Sequence, residues 1–195
     1  MQIKFIKKRI ALNEADITPG LLSRYFGIEG NALVSLKGSI KWKGIFLKEV
    51  LHFLMECPKS DLEKILLHQR FLVQIVREKI NHRLKGDIIQ RWGVNLFDSD
   101  RRVSLSIVRQ MGNAGLIYLG LPLKSQEISS IPNLSVAQGS EAFGQEGLLP
   151  KAGAGWGLTE KWQGLQDYQL DPQELAEAIM VQYQLEMKEM GKENV

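Results

Sequence analysis

Two adjacent arginines open the run Asp100-Arg101-Arg102-Val103-Ser104-Leu105-Ser106-Ile107, and of all residues in the chain they are the best suited to hold an anion. In an extended strand successive side chains point to opposite faces. Arg102, Ser104 and Ser106 then share one face, and Val103, Leu105 and Ile107 share the other. A guanidinium takes a carboxylate or phosphate through two parallel hydrogen bonds, and the small serines beside it leave room. Arg101 faces away from Arg102, so one arginine at most enters a pocket, and the alternation selects Arg102. Two readings stand. Arg102, Ser104 and Ser106, with Arg101 alongside, border a ligand; or the arginines cap an exposed strand end and the serines pack under a helix.

A second set of reactive types lies in Leu51-His52-Phe53-Leu54-Met55-Glu56-Cys57. His52 shares a strand face with Val50 and Leu54, and Glu56 follows on that face at the strand's carboxyl end. They form an acid–base pair if that end opens into a cleft and something bridges their separation. Otherwise His52 is a hydrogen-bonded core residue. Cys57 stands beside Pro58 and just ahead of a helix start, where a thiolate is favoured, but no histidine is tied to it by sequence. His68 lies in mid-helix, where a solvated or interface face is the simplest account. Trp156 and Trp162 bracket the end of a glycine-rich stretch, as loop anchors or as covers for a ligand.

Several chemistries are excluded or unsupported. With one cysteine in the 195-residue chain, neither an intrachain disulfide nor a cysteine-ligated zinc site is available, and a reducing cytoplasm fits best. His52, His68 and His82 have no spacing typical of a metal site. The formal charge of +3, from 25 basic and 22 acidic residues, is too slight to argue for nucleic acid or an acidic membrane surface. No apolar run approaches the roughly 18–20 residues of a membrane span. The amino terminus carries no apolar signal segment.

The elements that must position these residues follow from periodicity. Residues 2–12 read as a strand with a basic interruption. Thr18 and Pro19 read as cap and first residue of a short helix to Phe26, stopped by Gly27. A strand over 32–36, a turn region over 37–44 and a strand over 47–56 come next. Ser60 and Glu63 form a capping box for a long helix over 60–84, with an apolar stripe that Leu67 and Phe71 widen to two packed sides. Segments 87–97, 102–109 and 115–121 read as consecutive antiparallel strands, with Gly112-Asn113 suited to a tight hairpin turn. Residues 124–160 lack periodicity and hold most of the Gly and Ser clusters, as a functional lid or a linker does. A final helix over 171–190 starts at Asp171 and Pro172, with Leu170 stapled to Leu175.

This order of elements, with Asp100-Arg101-Arg102-Val103-Ser104-Leu105-Ser106 after the long helix, resembles the core of biotin protein ligases and lipoate or octanoyl transferases. The resemblance spans about residues 30–135. In that superfamily the matching strand lines an acyl pocket and carries a lysine toward the ligand, where this chain has Arg102. Gly38 to Gly44 (GSIKWKG) is a faint echo of the adenylate-binding segment. Ile131-Pro132-Asn133-Leu134 replaces the Pro-Cys-Gly run of octanoyl transferases. The whole sequence is similar to an uncharacterised prokaryotic family, domain of unknown function 366, which implies no activity.

The expectation is therefore an α+β single domain: a mixed or antiparallel sheet backed by helices, biotin/lipoate ligase-like, of the class II synthetase type. Its function is a pocket for a small carboxylate- or phosphate-bearing molecule, with acyl or adenylyl transfer as the reaction and ATP or another nucleotide as the cofactor the resemblance implies. The alternative is a non-catalytic module that binds RNA or protein through basic residues such as Lys41, Lys43 and Arg91. An exposed edge strand would also suit a homodimer, and nothing in the sequence decides that.

Overall fold

A computed structural model describes residues 1–129 and 159–192 of the chain. Its centre is a five-stranded sheet in the order β1-β2-β3-β8-β7. The strands are β1 (Gln2–Asn13), β2 (Ala32–Trp42), β3 (Ile45–Cys57), β7 (Leu105–Met111) and β8 (Ala114–Pro122). β1 runs parallel to β2, and the remaining pairs are antiparallel, so the sheet is mixed.

β2 continues to Trp42, where a turn region from residue 37 was expected. Its partners on β3 run to Ile45, and the hairpin closes on two residues, Lys43 and Gly44, both at positive φ (44° and 82°). That is the geometry of a tight turn matched to strand twist. The basic interruption in β1 is a register shift: Ile6 pairs with Leu36 and Ile10 with Gly38, leaving Lys7, Lys8 and Arg9 exposed along the edge.

The two faces of this sheet hold two cores. On one, Phe53, Met55, Ile117 and Leu119 cluster with Ile65, Leu72, Val76 and Ile80 of α2 (Leu62–Leu84) and with Leu175, Ile179 and Tyr183 of α3 (Pro172–Lys192). On the other, Val34, Leu36, Leu54, Tyr118 and Ile107 cluster with Ile17, with Leu21 and Leu22 of α1 (Leu21–Phe26), and with Trp162.

Helix starts shift by a residue or two. Asp61, not Ser60, caps α2, accepting from the Lys64 amide at 2.8 Å, while the Ser60 hydroxyl turns to the Pro58 carbonyl. α1 begins after Gly20 rather than at Pro19, and Gly27 ends it as expected. Asp171 caps α3, accepting from the Glu174 amide at 2.8 Å. Of the two residues that widen the α2 stripe, Phe71 packs against Tyr183 of α3, so the helix meets both sheet and α3, while Leu67 is 62% exposed.

The expected three-strand meander is two different structures. β4 (Gln90–Trp92), β5 (Asn95–Asp98) and β6 (Arg101–Arg102) belong to a second sheet, ordered β4-β5-β6-β10-β9, with β9 (Gln126–Ser129) and β10 (Thr159–Trp162). The segment over 102–109 is therefore not one strand. Leu96 holds the chain at the crossing, its carbonyl accepting from the Val103 amide and its own amide donating to the Ser104 hydroxyl, both at 2.8 Å. Most of the glycine-rich stretch, residues 130–158, with Trp156, lies outside the described residues.

Gly38 is where β1 comes closest. A Cβ there would lie 1.8 Å from the Ile10 carbonyl oxygen and 2.8 Å from His52 Nε2. Neither backbone nor buried ring has room to retreat. Gly38→Ala should cost about 3 kcal/mol of overpacking, read as a lowered urea midpoint with an unchanged slope.

Candidate functional site

Arg102 is 17% exposed in its side chain and is fixed on every side by neighbours. Its Nε donates to the Ser104 carbonyl at 2.9 Å and one terminal nitrogen to Asn95 Oδ1 at 3.0 Å. The other terminal nitrogen meets Glu160 Oε1 at 3.0 Å, and the guanidinium lies 4.8 Å over the buried indole of Trp162. Asn95 also accepts from the Ser106 amide at 3.1 Å, so one side-chain oxygen ties the arginine to β7. The geometry is that of an anion seat whose occupant is this protein's own Glu160 carboxylate.

The neighbouring predicted residues play other parts. Ser104 is fully buried, its hydroxyl taken by Leu96. The Ser106 hydroxyl accepts from Gln69 of α2 at 2.8 Å. Arg101 faces away, as alternation requires, and donates to Gln163 Oε1 at 2.7 Å. The break at 103–104 means that Ser104 supports Arg102 through its carbonyl, not by lining a shared strand face.

His52 and Glu56 are not brought together. They are four residues apart on β3, about 13 Å at the usual strand rise, with buried Leu54 between them. Glu56 accepts from the backbone amides of Gly20 and Leu22, both at 3.2 Å. α1 opens on a glycine, which has no capping oxygen, and the Glu56 carboxylate supplies one from the neighbouring strand.

His52 Nδ1 lies 3.0 Å from the Tyr118 hydroxyl, and its Nε2 is buried without a partner among the described residues. Two neutral groups with two polar hydrogens share one contact, so one donor goes unused whichever tautomer is present. Burial pushes the His52 pKa down to about 3. The same effect pushes the Cys57 thiol up to about 12, with the Glu56 charge adding to it, and this overrides any benefit of the nearby helix start.

Sequence reasoning did not find Asn95, Glu160, Trp162 or Tyr118 as parts of these clusters. Asn95 follows a two-residue turn, and Glu160 and Trp162 lie more than fifty residues beyond Arg102. Only their shared strand pairing, Trp162 with Arg102, brings them together.

The mixed sheet with long helices on one face is a fold similar to that of biotin protein ligases. The Aquifex aeolicus biotin protein ligase in complex with biotin and ATP matches with a TM-score of 0.55 and 9% identity, over 96% of this chain and 70% of that one. The Leishmania major biotin protein ligase in complex with biotinyl-5-AMP matches with a TM-score of 0.52 and 10% identity, over 93% and 73%. The chain belongs to the family described as Domain of unknown function (DUF366), which it matches over residues 1–144. A protein of unknown function from Pyrococcus horikoshi has a TM-score of 0.73 at 20% identity, covering 100% of this chain and 96% of its own. No curated protein matches the sequence. No helix among the described residues is long and apolar enough to cross a membrane.

Two measurements check the buried groups. His52 stays neutral when folded but takes a proton near pH 6.5 when unfolded. Stability should therefore fall as pH drops from about 6.5 toward 3, by about 1.4 kcal/mol per pH unit from this residue once well below 6.5. His52→Gln, which does not titrate, should flatten that slope in denaturant titrations. Cys57 is 4% exposed, and its thiol should react with an aromatic disulfide reagent at pH 8 at least 100-fold more slowly in the folded chain than in urea.

Proposed function

We propose that this protein binds a small molecule bearing a carboxylate or phosphate, with the Arg102 guanidinium as its anion contact, and that acyl or adenylyl transfer is the reaction it supports. The observation that carries this reading is the state of Arg102. Its plane and direction are set by Ser104, Asn95 and Trp162, while the carboxylate it holds belongs to Glu160, whose side chain is 38% exposed. A fixed cation and a more exposed carboxylate suit exchange: Glu160 swings out and a ligand anion takes over its hydrogen bond. Ser104 and Ser106 then act as supports for the seat, Ser104 through its carbonyl and Ser106 through the amide that holds Asn95. Arg101 remains beside it, tied to Gln163. His52 and Glu56, held by Tyr118 and by α1, are given no proton-transfer role.

The ligase-like fold supports the reaction class, since neighbours of that fold were solved with biotin and ATP or with biotinyl-5-AMP. A nucleotide is the cofactor to test first. The second reading, a non-catalytic module for RNA or protein, draws on the exposure of Lys41, Lys43 and Arg91.

One panel separates the two. Biotin, lipoate, octanoate and ATP are added singly and in pairs to the full chain while its melting temperature is followed. At 100-fold over its dissociation constant a ligand of the native state contributes about 2.7 kcal/mol, a shift of several degrees. Arg102→Ala should abolish that shift, and Glu160→Gln, which weakens the internal competitor, should tighten binding about tenfold. A flat panel together with RNA binding that falls steeply with salt rejects the small-molecule reading in favour of the module.

A further inference from the structure

Away from Arg102, a cleft of about 320 Å³ lies where the end of β3, the start of α2 and the second half of α3 converge. Its apolar lining includes Met55, Cys57 and Met187, and its polar lining includes Lys64, His68 and Lys188. That volume is at the lower end of the range for small-molecule sites, and an apolar wall with a few convergent polar groups is their usual character.

The cleft holds one carboxylate, Glu56, whose two oxygens accept from the backbone amides of Gly20 and Leu22. The Cys57 thiol is kept neutral by burial. Burial and the nearby Lys64 ammonium also lower the pKa of His68. Lys64 and Lys188, both exposed at the rim, set the field, and neither has an ion pair among the described residues.

His68 is also oriented. The Tyr183 hydroxyl donates toward the Met55 sulfur at 3.4 Å and lies 2.7 Å from His68 Nδ1. The short contact to the hydroxyl fixes the plane of the imidazole at the cleft wall. The cleft thus offers two lysine ammonium groups, a positioned imidazole and a wall of polarizable sulfur.

We propose that this cleft is a second ligand site, for a small aliphatic anion whose carboxylate or phosphate meets Lys64 and Lys188 and whose apolar body packs on Met55 and Met187. The site shares no residue with the Arg102 seat and stands independently of the function proposed there.

The test follows the methionine methyl signals of the full chain, labelled with ¹³C-methyl methionine, during titration. Sodium hexanoate and hexyl phosphate are the probes, and hexanol is the uncharged control. One or both anions should saturably shift the Met55 and Met187 signals, with hexanol at least tenfold weaker. The probe that binds more tightly tells a carboxylate from a phosphoryl ligand. Lys64→Ala with Lys188→Ala, at exposed positions that leave the fold intact, should weaken binding at least tenfold. The proposal is overturned by no saturable shift with either anion, by hexanol binding as well as the anions, or by binding that survives loss of both lysines.

Discussion

The Arg102 guanidinium joins parts of the chain that are far apart in sequence. One planar cation bonds to Asn95 of β5, to the Ser104 carbonyl at the crossing between sheets, and to Glu160 of β10, while lying on Trp162. The second sheet has few residues and short strands, and strands of two to four residues hold little by themselves. Its place against the main sheet rests on this charged knot together with the burial of Leu96, Val103 and Trp162. Removing the cation would take away the side-chain donor at the Ser104 carbonyl and leave Asn95 Oδ1 with the Ser106 amide, and leaving a buried acceptor unpaired costs more than the bond contributes when made.

Much of this fold was legible because burial writes itself as periodicity. The long helix, the last helix with its Asp171 cap, and the β7–β8 hairpin all follow from local spacing, and the ligase-like architecture follows from their order. The misread places have a shared cause. Alternation at period two runs unbroken through Arg102, Val103, Ser104 and Leu105, although the chain changes sheets there, because Val103 and Leu105 are buried on either side of the crossing. Periodicity reports which side chains are buried but not which layer buries them.

The site was legible only in part. Arg102 stands out by type and position, but its partners are set by tertiary pairing. His52 and Glu56 looked like a pair because period two puts them on one face. Leu54 between them and the amides of α1 make them two separate structural groups. The face they share is nevertheless unusual for a core: the His52–Tyr118 contact leaves one polar hydrogen unspent amid apolar neighbours. A cost of about 1–3 kcal/mol of this kind is tolerated where the surroundings over-determine the geometry, and here the space beside the ring is so tight that a Cβ at Gly38 would lie 2.8 Å from His52 Nε2.

The register shift in β1 has a bearing on how copies of this chain meet. An edge strand presents unpaired amides and carbonyls to any passing strand, and proteins blunt such edges with bulges and lysines. Between Ile6 and Ile10 the outermost strand of the main sheet does both at once, swelling out of line with Lys7, Lys8 and Arg9. A foreign strand zipping along this rim would lose its register halfway and face like charges if it were another copy. The border is thus guarded against fibrous stacking by the strand's own residues.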